Sequence, residues 1–142
     1  MSVVKYILDS KGIDVWAVSS DDSVFEAIKM MAEKNVGALL VIDDEQLSGI
    51  VSERDYARKV ILKGKSSEKT PVKDIMTANI ISAHPTQTVE ECMELMSANR
   101  IRHLPVLDGG KLVGVLSIGD LVKAIIDEQQ FTITQLKSYI AS

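Results

Sequence analysis

The chain has 142 residues, of which 46% are apolar and 25% are charged, the balance of an ordinary globular protein rather than a disordered or fibrous one. Its formal net charge of −4 provides no global basic field, which argues against nucleic acid or an anionic membrane as a partner. Every apolar run is far shorter than the roughly 18–20 residues that span a bilayer, and Met1 to Gly12 lacks the apolar stretch of a signal peptide. We therefore expect a cytoplasmic protein of one compact domain or two very small ones.

The sequence contains two copies of one pattern, which a shift of 65 residues aligns without a gap. The identical pairs include Val24 and Val89, Leu39 and Leu104, Val41 and Val106, Gly49 and Gly114, Ser52 and Ser117, and Asp55 and Asp120. We assign the copies to residues 13–63 and 78–128, with a polar linker at 64–77. Because units of about 50 residues cannot bury a full core alone, the copies should pack against each other.

Both copies are predicted to fold as a β-α-β-β-α unit, which places the chain in the mixed α/β (α+β) class. In the first copy the predicted elements are an extended piece at 15–18, a helix from Val24, strands at 38–42 and 47–51 and a helix at 53–62. In the second copy they are an extended piece at 80–82, a helix from Val89, strands at 103–107 and 112–116 and a helix at 118–128. Ser23 with Glu26 and Thr88 with Glu91 have the spacing of capping boxes at the first helix of each copy. The glycine pair between the second copy's strands is a good hairpin signal, whereas the acidic turn of the first copy is a weaker signal and is expected to be solvated.

Residues 129–142 are predicted to contain a separate amphipathic helix. Ile133, Leu136 and Ile140 fall on one stripe at helical spacing. Such a helix would cover the two copies or a partner chain.

The strongest repeated signal is the turn from the last strand of each copy into its second helix. A serine precedes the helix and an aspartate follows three residues later, as Ser52 with Asp55 and as Ser117 with Asp120. One interpretation is a capping box that satisfies free backbone donors. The other is a ligand site, since helix N-termini attract phosphate and a carboxylate accepts hydrogen bonds from ribose hydroxyls. A glycine three residues before each serine would let a ligand approach the backbone or would mark a bulge.

Positive charge is placed differently in the two copies. Arg102 and His103 stand at the start of the second hairpin, where the first copy has Gly37 and Ala38. If a phosphate ligand binds, Arg102 and His103 are the best-placed anion partners, the arginine through a bidentate fork. The alternative is an ordinary solvated start of a strand.

No catalytic constellation is recognisable in the sequence. His84 and His103 have no neighbouring cysteine, so the sequence shows neither metal-ligand spacing nor a nucleophile–base pair. Cys92, the single cysteine, cannot form an internal disulfide, and its place on an apolar helix stripe indicates a core residue. Trp16 also fits a core, although it could flank a purine ring. Pro105 indicates a strand with a free N–H side, at an edge or bulge.

With these motifs the sequence resembles a tandem pair of cystathionine-β-synthase-type domains, the CBS pair or Bateman module. The resemblance covers nearly the whole chain and rests on the Gly-hydrophobic-x-Ser-x-x-Asp turn of both copies, on the Arg-His-Leu-Pro-Val segment from Arg102 and on the Asp-Ile-Met-Thr segment from Asp74. The Ser-Glu-Arg-Asp-Tyr segment from Ser52 is similar to small stand-alone bacterial and organellar members. The resemblance implies two pseudo-twofold-related units packed through their sheets, two clefts for adenosyl ligands, and disc-like homodimers.

The resemblance also implies a set of ligand-binding residues. The expected ligand is an adenosyl compound, AMP first, with ADP, ATP, NAD(H) or S-adenosylmethionine as the other candidates. Carried over to this sequence, ribose hydroxyls would bind Asp55 and Asp120, ribose or phosphate would contact Ser52 and Ser117, phosphate would contact Arg102 and His103, and adenine would lie against Val15, Trp16, Val36, Ile80, Ile81 and Ile101. Because Gly37 and Ala38 offer no charge, the two clefts should differ in affinity.

These observations indicate a non-catalytic adenine-nucleotide sensor that acts in trans on an unidentified partner protein, because no enzyme or transporter domain accompanies the two copies. Ligand would bridge the copies and bias their relative angle, which the partner would read. The alternative is a protein-interaction scaffold with vestigial clefts, which would need the same caps and fold. A small nucleotide hydrolase is a third interpretation, and neither a metal cluster nor an activated nucleophile supports it.

Overall fold

The sequence repeat corresponds to two structural units in the computed structural model, which describes residues 3–11 and 15–141. The first unit is Val15–Ile80, and the second unit combines Ile81–Ser142 with the N-terminal segment Met1–Asp14. Residues 13 and 14, the start of the predicted first copy, and residue 142 lie outside the described residues.

The first copy contains the predicted elements in the predicted order, and the second copy contains them apart from the extended piece at 80–82. The elements are α1 (Val4–Lys11), β1 (Ala17–Val18), α2 (Val24–Lys34), β2 (Ala38–Asp43), β3 (Gln46–Ser52), α3 (Glu53–Lys59), two 3-10 helices (Ile61–Lys63 and Val72–Asp74), α4 (Val89–Asn99), β4 (His103–Asp108), β5 (Lys111–Ser117) and α5 (Ile118–Ala141).

The first unit is a three-stranded sheet covered by helices. Its strand order is β1-β2-β3, with β1 parallel to β2 and β2 antiparallel to β3. Ser23 caps α2 by accepting the Glu26 N–H at 3.1 Å. The core contains Val18, Val24, Ala27, Met31, Leu39, Val41, Val51, Val60, Val72 and Ile75. Each such fully buried aliphatic side chain stabilises the unit by about 1.5–3 kcal/mol.

The second unit repeats this arrangement with one strand fewer. β4 and β5 form a two-stranded sheet, and residues 80–82 are not a strand, so the predicted third strand is reduced to a single bridge between Ala83 and Val106. The physical reason is Pro105. In the first unit the N–H of Leu40, the matching residue, donates to the Trp16 carbonyl at 3.1 Å and holds β1 against β2, but proline has no N–H to donate.

The second unit's helix α4 begins with the complete capping box. Thr88 Oγ1 accepts the Glu91 N–H, and the Glu91 carboxylate accepts the Thr88 N–H, both at 3.1 Å. The core contains Val4, Leu8, Ala83, Val89, Cys92, Met96, Leu104, Val106, Leu116 and Leu121. The predicted core position of Cys92 is confirmed.

Both hairpins have the same two-residue turn. The turn residues have positive φ in each case, 48° and 65° at Asp44 and Glu45 and 59° and 80° at Gly109 and Gly110. The weaker acidic signal therefore marks the same kind of hairpin as the glycine pair, in a conformation that costs L-residues some free energy.

Each unit is completed by the chain segment that precedes the other copy. In α1, which precedes the first copy, Val4 and Leu8 lie in the core of the second unit. Val72 and Ile75, which precede the second copy, lie in the core of the first unit. Residues 72–77 of the predicted linker are thus packed against the first copy.

The two helices predicted at 118–128 and 129–140 form one continuous helix, α5. No glycine or proline interrupts the chain between Gly119 and Ala141, and the junction around Gln129 consists of good helix formers. Among the described residues, no helix is both long enough and apolar enough to cross a membrane.

Candidate functional site

The Ser52–Asp55 turn places a hydroxyl and a carboxylate at the N-terminus of α3. Asp55 N–H donates to Ser52 Oγ at 3.2 Å, and Ser52 N–H donates to Asp55 Oδ2 at 2.9 Å. The Ser52 hydroxyl also donates to Oδ2, at 3.1 Å. The capping interpretation is therefore correct here, and it holds the carboxylate, whose side chain is only 15% exposed, in one orientation.

The Ser117–Asp120 turn has the same geometry at the N-terminus of α5. Asp120 N–H donates to Ser117 Oγ at 3.1 Å, and Ser117 N–H donates to Asp120 Oδ2 at 2.8 Å. The capping bonds alone do not use all of the about four acceptor positions that an ionised carboxylate offers. A cap and a ligand contact are therefore compatible in one side chain.

In each copy the start of the hairpin lies beside this turn. The Gly37 carbonyl accepts the Glu53 N–H at 3.1 Å, and the Arg102 carbonyl accepts the Ile118 N–H at 2.9 Å. His103 is also the cross-strand partner of Ser117. The structure thus brings Arg102 and His103 next to the second copy's turn, with Arg102 exposed and His103 half-buried.

The residues that surround the start of the hairpin carry different charges in the two copies. A Cβ on Gly37 would lie 3.1 Å from Glu53 Oε1, so a carboxylate covers the position that matches Arg102. The residue that matches Glu53 in the second copy is Ile118, which carries no charge. In the first copy a carboxylate therefore lies where the second copy has the Cβ of Arg102.

Comparison with known proteins decides the family, since the family model of the CBS domain matches residues 9–62 and 72–127. The chain belongs to the CBS-domain family. The mitochondrial CBS domain-containing protein CBSX3 of Arabidopsis thaliana is 40% identical over 98% of this chain and 72% of its own length. A solved structure with CBS domains from Burkholderia ambifaria MC40-6 has 54% identity and a TM-score of 0.87, covering 93% of this chain and 99% of its own.

A further solved relative is the CBS domain pair of protein MJ0100, in complex with 5′-methylthioadenosine and S-adenosyl-L-methionine. It has 28% identity and a TM-score of 0.79, and the match covers 90% of this chain and 98% of its own. The predicted tandem CBS pair and its mixed α/β fold are confirmed.

The apolar residues expected to face adenine are divided between the CBS copies. Val15, Val36 and Ile80 are half-buried in the first unit, and Ile81 and Ile101 are half-buried in the second. Each set lies in the same unit as one Ser-x-x-Asp turn.

Trp16 is 38% exposed, so it is not a core residue. The Lys34 ammonium lies 4.3 Å from the centre of its ring, in a cation–π contact. The ring is therefore held at the surface of the first unit rather than packed into its core.

Lys59 is a further residue that contacts the candidate site of the first copy. Its Nζ lies 3.1 Å from Asp55 Oδ1 and donates to the Ile75 carbonyl at 2.8 Å. It thereby ties the candidate carboxylate of the first CBS copy to the segment at 72–77. The i,i+4 spacing of Asp55 and Lys59 was the available signal, and the second copy has Ala124 in this place.

The glycines before the two turns allow another segment of the chain to approach closely. A Cβ on Gly49 would lie 2.7 Å from the Thr77 carbonyl oxygen, and one on Gly114 would lie 2.7 Å from a methyl carbon of Leu8. Each glycine also pairs with the residue at which its hairpin register shifts. The bulge interpretation is thus correct, and the close approach is made by the segment that completes each unit.

Among the described residues, no group of three or more His, Cys, Asp or Glu side chains is arranged to hold a metal ion. Burial, and secondarily Glu91, raises the pKa of the Cys92 thiol to about 11. This thiol therefore stays protonated at neutral pH and is a poor nucleophile.

Proposed function

We propose that this CBS pair binds an adenosyl ligand at its Ser-x-x-Asp turns and reports it to a partner protein in trans, without catalysing a reaction. The observation that carries the proposal is the same grouping of hydroxyl, carboxylate and helix N-terminus in both copies. The adenosyl compounds in the MJ0100 structure support the ligand class. Binding would shift the population of the conformation that the partner recognises.

Within this proposal, Asp55 and Asp120 accept hydrogen bonds from ribose hydroxyls, and Ser52 and Ser117 contact ribose or phosphate. The adenine ring lies against the apolar residues that share a unit with each turn. The cap bonds hold each carboxylate in one rotamer before ligand arrives, which reduces the entropy lost on binding.

The ligand's phosphate is expected at the second copy. In that copy the backbone of Arg102 and His103 lies beside the Ser117 turn. A guanidinium binds phosphate oxygens through two parallel hydrogen bonds. In the first copy the Glu53 carboxylate would repel a phosphate. We therefore expect AMP, and then ADP, ATP or NAD(H), to occupy the second copy first, and a ligand without phosphate, such as S-adenosylmethionine, to be tolerated better by the first.

Thermal melts with each adenosyl ligand, together with mass analysis of co-purifying small molecules, test the proposal. A ligand at about 100 times its Kd stabilises the folded state by roughly 2.7 kcal/mol, enough for a shift of several degrees. A shift with one or a few ligands supports the sensor. A flat response from ligand-free protein contradicts it and favours a scaffold with idle sites.

A matched pair of variants separates ligand binding from helix capping. Asp120→Ala and Glu91→Ala each remove the carboxylate of a capping box in the second unit, so both should lose about 0.3–1.5 kcal/mol of stability. Only Asp120→Ala should also weaken AMP binding, by about tenfold or more, because it removes a charged acceptor. Equal AMP affinity in the two variants, measured by calorimetry, would rule out the assigned role of Asp120.

We also propose that the chain is a cytoplasmic homodimer. Its CBSX3 relative is named as mitochondrial, so localisation of the tagged protein is the direct check of compartment. Analytical ultracentrifugation measures the assembly.

A further inference from the structure

The C-terminal part of α5 carries an exposed apolar stripe with the spacing of a coiled coil. Val122, Ile126, Gln129, Ile133, Leu136 and Ile140 follow one another at alternating steps of four and three residues. This set is called the α5 seam below. Its five apolar members are exposed, with fractions of 43% at Val122, 58% at Ile126, 44% at Ile133, 56% at Leu136 and 81% at Ile140. In a monomer about half of this apolar surface would remain in water, although Gln129 and Ile133 also line a cleft with Glu90 of α4.

We infer that the α5 seam pairs with the α5 seam of a second copy of this chain, as a parallel two-stranded coiled coil. In heptad terms, isoleucine occupies all three a positions (126, 133 and 140), and the d positions hold Val122, Gln129 and Leu136. β-branched residues at a with leucine at d favour two parallel strands. This inference specifies the interface of the proposed homodimer and is independent of ligand binding.

The polar residue within the seam also favours the parallel arrangement. In a parallel in-register pair, Gln129 meets the same residue of the other helix, and two side-chain amides can hydrogen-bond to each other. In the fully overlapped antiparallel pair, Gln129 would face Ile133. A buried amide without a partner is costly, so the register with paired glutamines is preferred.

The charges beside the α5 seam also favour the parallel arrangement. Lys123 and Lys137 occupy e positions. In the antiparallel pair they would face each other across the interface, twice by symmetry, and repel. In the parallel pair an e residue faces a g residue instead, so Lys137 lies opposite Thr132 and no like charges meet.

The helix is already formed and anchored before it pairs. Leu121 is fully buried in the core of the second unit, one turn into α5. A free peptide of this length would be marginally helical in water, but continuity with the anchored turn removes the nucleation cost. A seam of fewer than three heptads can therefore suffice for pairing.

Analytical ultracentrifugation of the full chain tests the interface with a matched pair of variants. Ile133→Lys places a charge in the seam, whereas Phe131→Lys places the same charge at an f position on the opposite side of the same helix. Phe131 is 65% and Ile133 44% exposed, and neither residue belongs to the core of the second unit. Ile133→Lys should weaken the dimer about a hundredfold or more, and Phe131→Lys should leave it unchanged.

Variants with one added cysteine test the orientation under mild oxidation. Leu136→Cys should cross-link to its own counterpart in the parallel pair, and Ser138→Cys, on the outer face, should not. The native Cys92 is buried and does not compete.

Three outcomes would overturn the inference. They are a monomer at high concentration, a dimer that tolerates Ile133→Lys, and a dimer broken by Ile133→Lys in which Leu136→Cys fails to cross-link. The second and third would leave the proposed homodimer standing with another interface or orientation. None of the three bears on adenosyl-ligand binding, which the melts measure separately.

Discussion

At the scale of single residues, Asp43 shows how one carboxylate joins segments that are distant in the sequence. It accepts hydrogen bonds from the Ser20 N–H and the Ser19 hydroxyl at 3.0 Å and from the Ser48 hydroxyl at 2.8 Å. These bonds lower the pKa of Asp43 from 3.8 to about 2, with the Ser20 N–H as the largest cause and the Ser48 hydroxyl next. The expectation of a solvated acidic turn thus fails at Asp43, because two of its donors lie more than twenty residues away in the chain.

The Asp43→Asn variant should remove one acid-sensitive contribution to stability. Because the pKa of Asp43 is lowered on folding, its carboxylate stabilises the folded state above pH 3.8, and the contribution is lost as the pH falls towards 2. The variant should therefore be less stable than the parent at neutral pH, and the difference should shrink over that window. Urea denaturation at several pH values measures it.

The control for this experiment is Asp108→Asn, at the matching position of the second copy. It leaves the Asp43 hydrogen bonds intact, so the Asp43 contribution should persist in it. A constant difference between Asp43→Asn and the parent from neutral pH to pH 2 would contradict the assignment.

At the scale of elements, the patterns with local causes were predictable from the sequence. Helical spacing located α2 and α4 because a helix buries residues three and four apart, and the serine and threonine caps lie within one turn of their partners. The missing third strand of the second unit follows from one substitution, Pro105 for Leu40. Pro105 indicated a free N–H side for its strand, but the extended piece at 80–82 was still expected, because the partner of the missing donor, at the position of Trp16 in the first copy, is distant in the sequence.

The two glycines before the Ser-x-x-Asp turns should differ in their tolerance of a methyl group. In Gly49→Ala the new Cβ meets the Thr77 carbonyl oxygen, which the Ile50 N–H already binds at 3.0 Å, so the backbone cannot move without losing a bond. In Gly114→Ala it meets the flexible end of Leu8. We expect Gly49→Ala to cost about 1–3 kcal/mol and Gly114→Ala clearly less, as measured by chemical denaturation. Equal losses would show that α1 is as rigid as the 72–77 segment.

At the scale of the whole molecule, the segment that precedes each copy in the sequence packs into the core of the other copy's unit. Val4 N–H donates to the Gln87 carbonyl at 2.9 Å, and Val72 N–H donates to the Asp22 carbonyl at 2.8 Å. The two acceptors occupy matching positions of the two copies, since Gln87 and Asp22 are 65 residues apart, whereas the two donors are 68 residues apart. The repeat could be predicted from the sequence. The packing of each preceding segment against the other copy could not, because the two segments share too few residues for self-comparison to align them. The same limit applies to the candidate site. The Ser-x-x-Asp turns could be predicted because their partners are three residues apart, whereas the contact of Lys59 with the distant Ile75 carbonyl could not.

This packing predicts that a core substitution in each preceding segment destabilises the copy that is more distant in the sequence. Val4 and Val72 are both fully buried, and replacing either with alanine should cost about 1–3 kcal/mol. Because Val4 belongs to the second core, Val4→Ala should reduce amide protection chiefly in residues 81–121, although the substitution lies ahead of the first copy. Val72→Ala should reduce it chiefly in residues 15–63, each variant serving as the control for the other. Hydrogen exchange with mass spectrometry resolves the two regions, and loss of protection in the adjacent copy instead would mean that each segment stabilises its sequence neighbour.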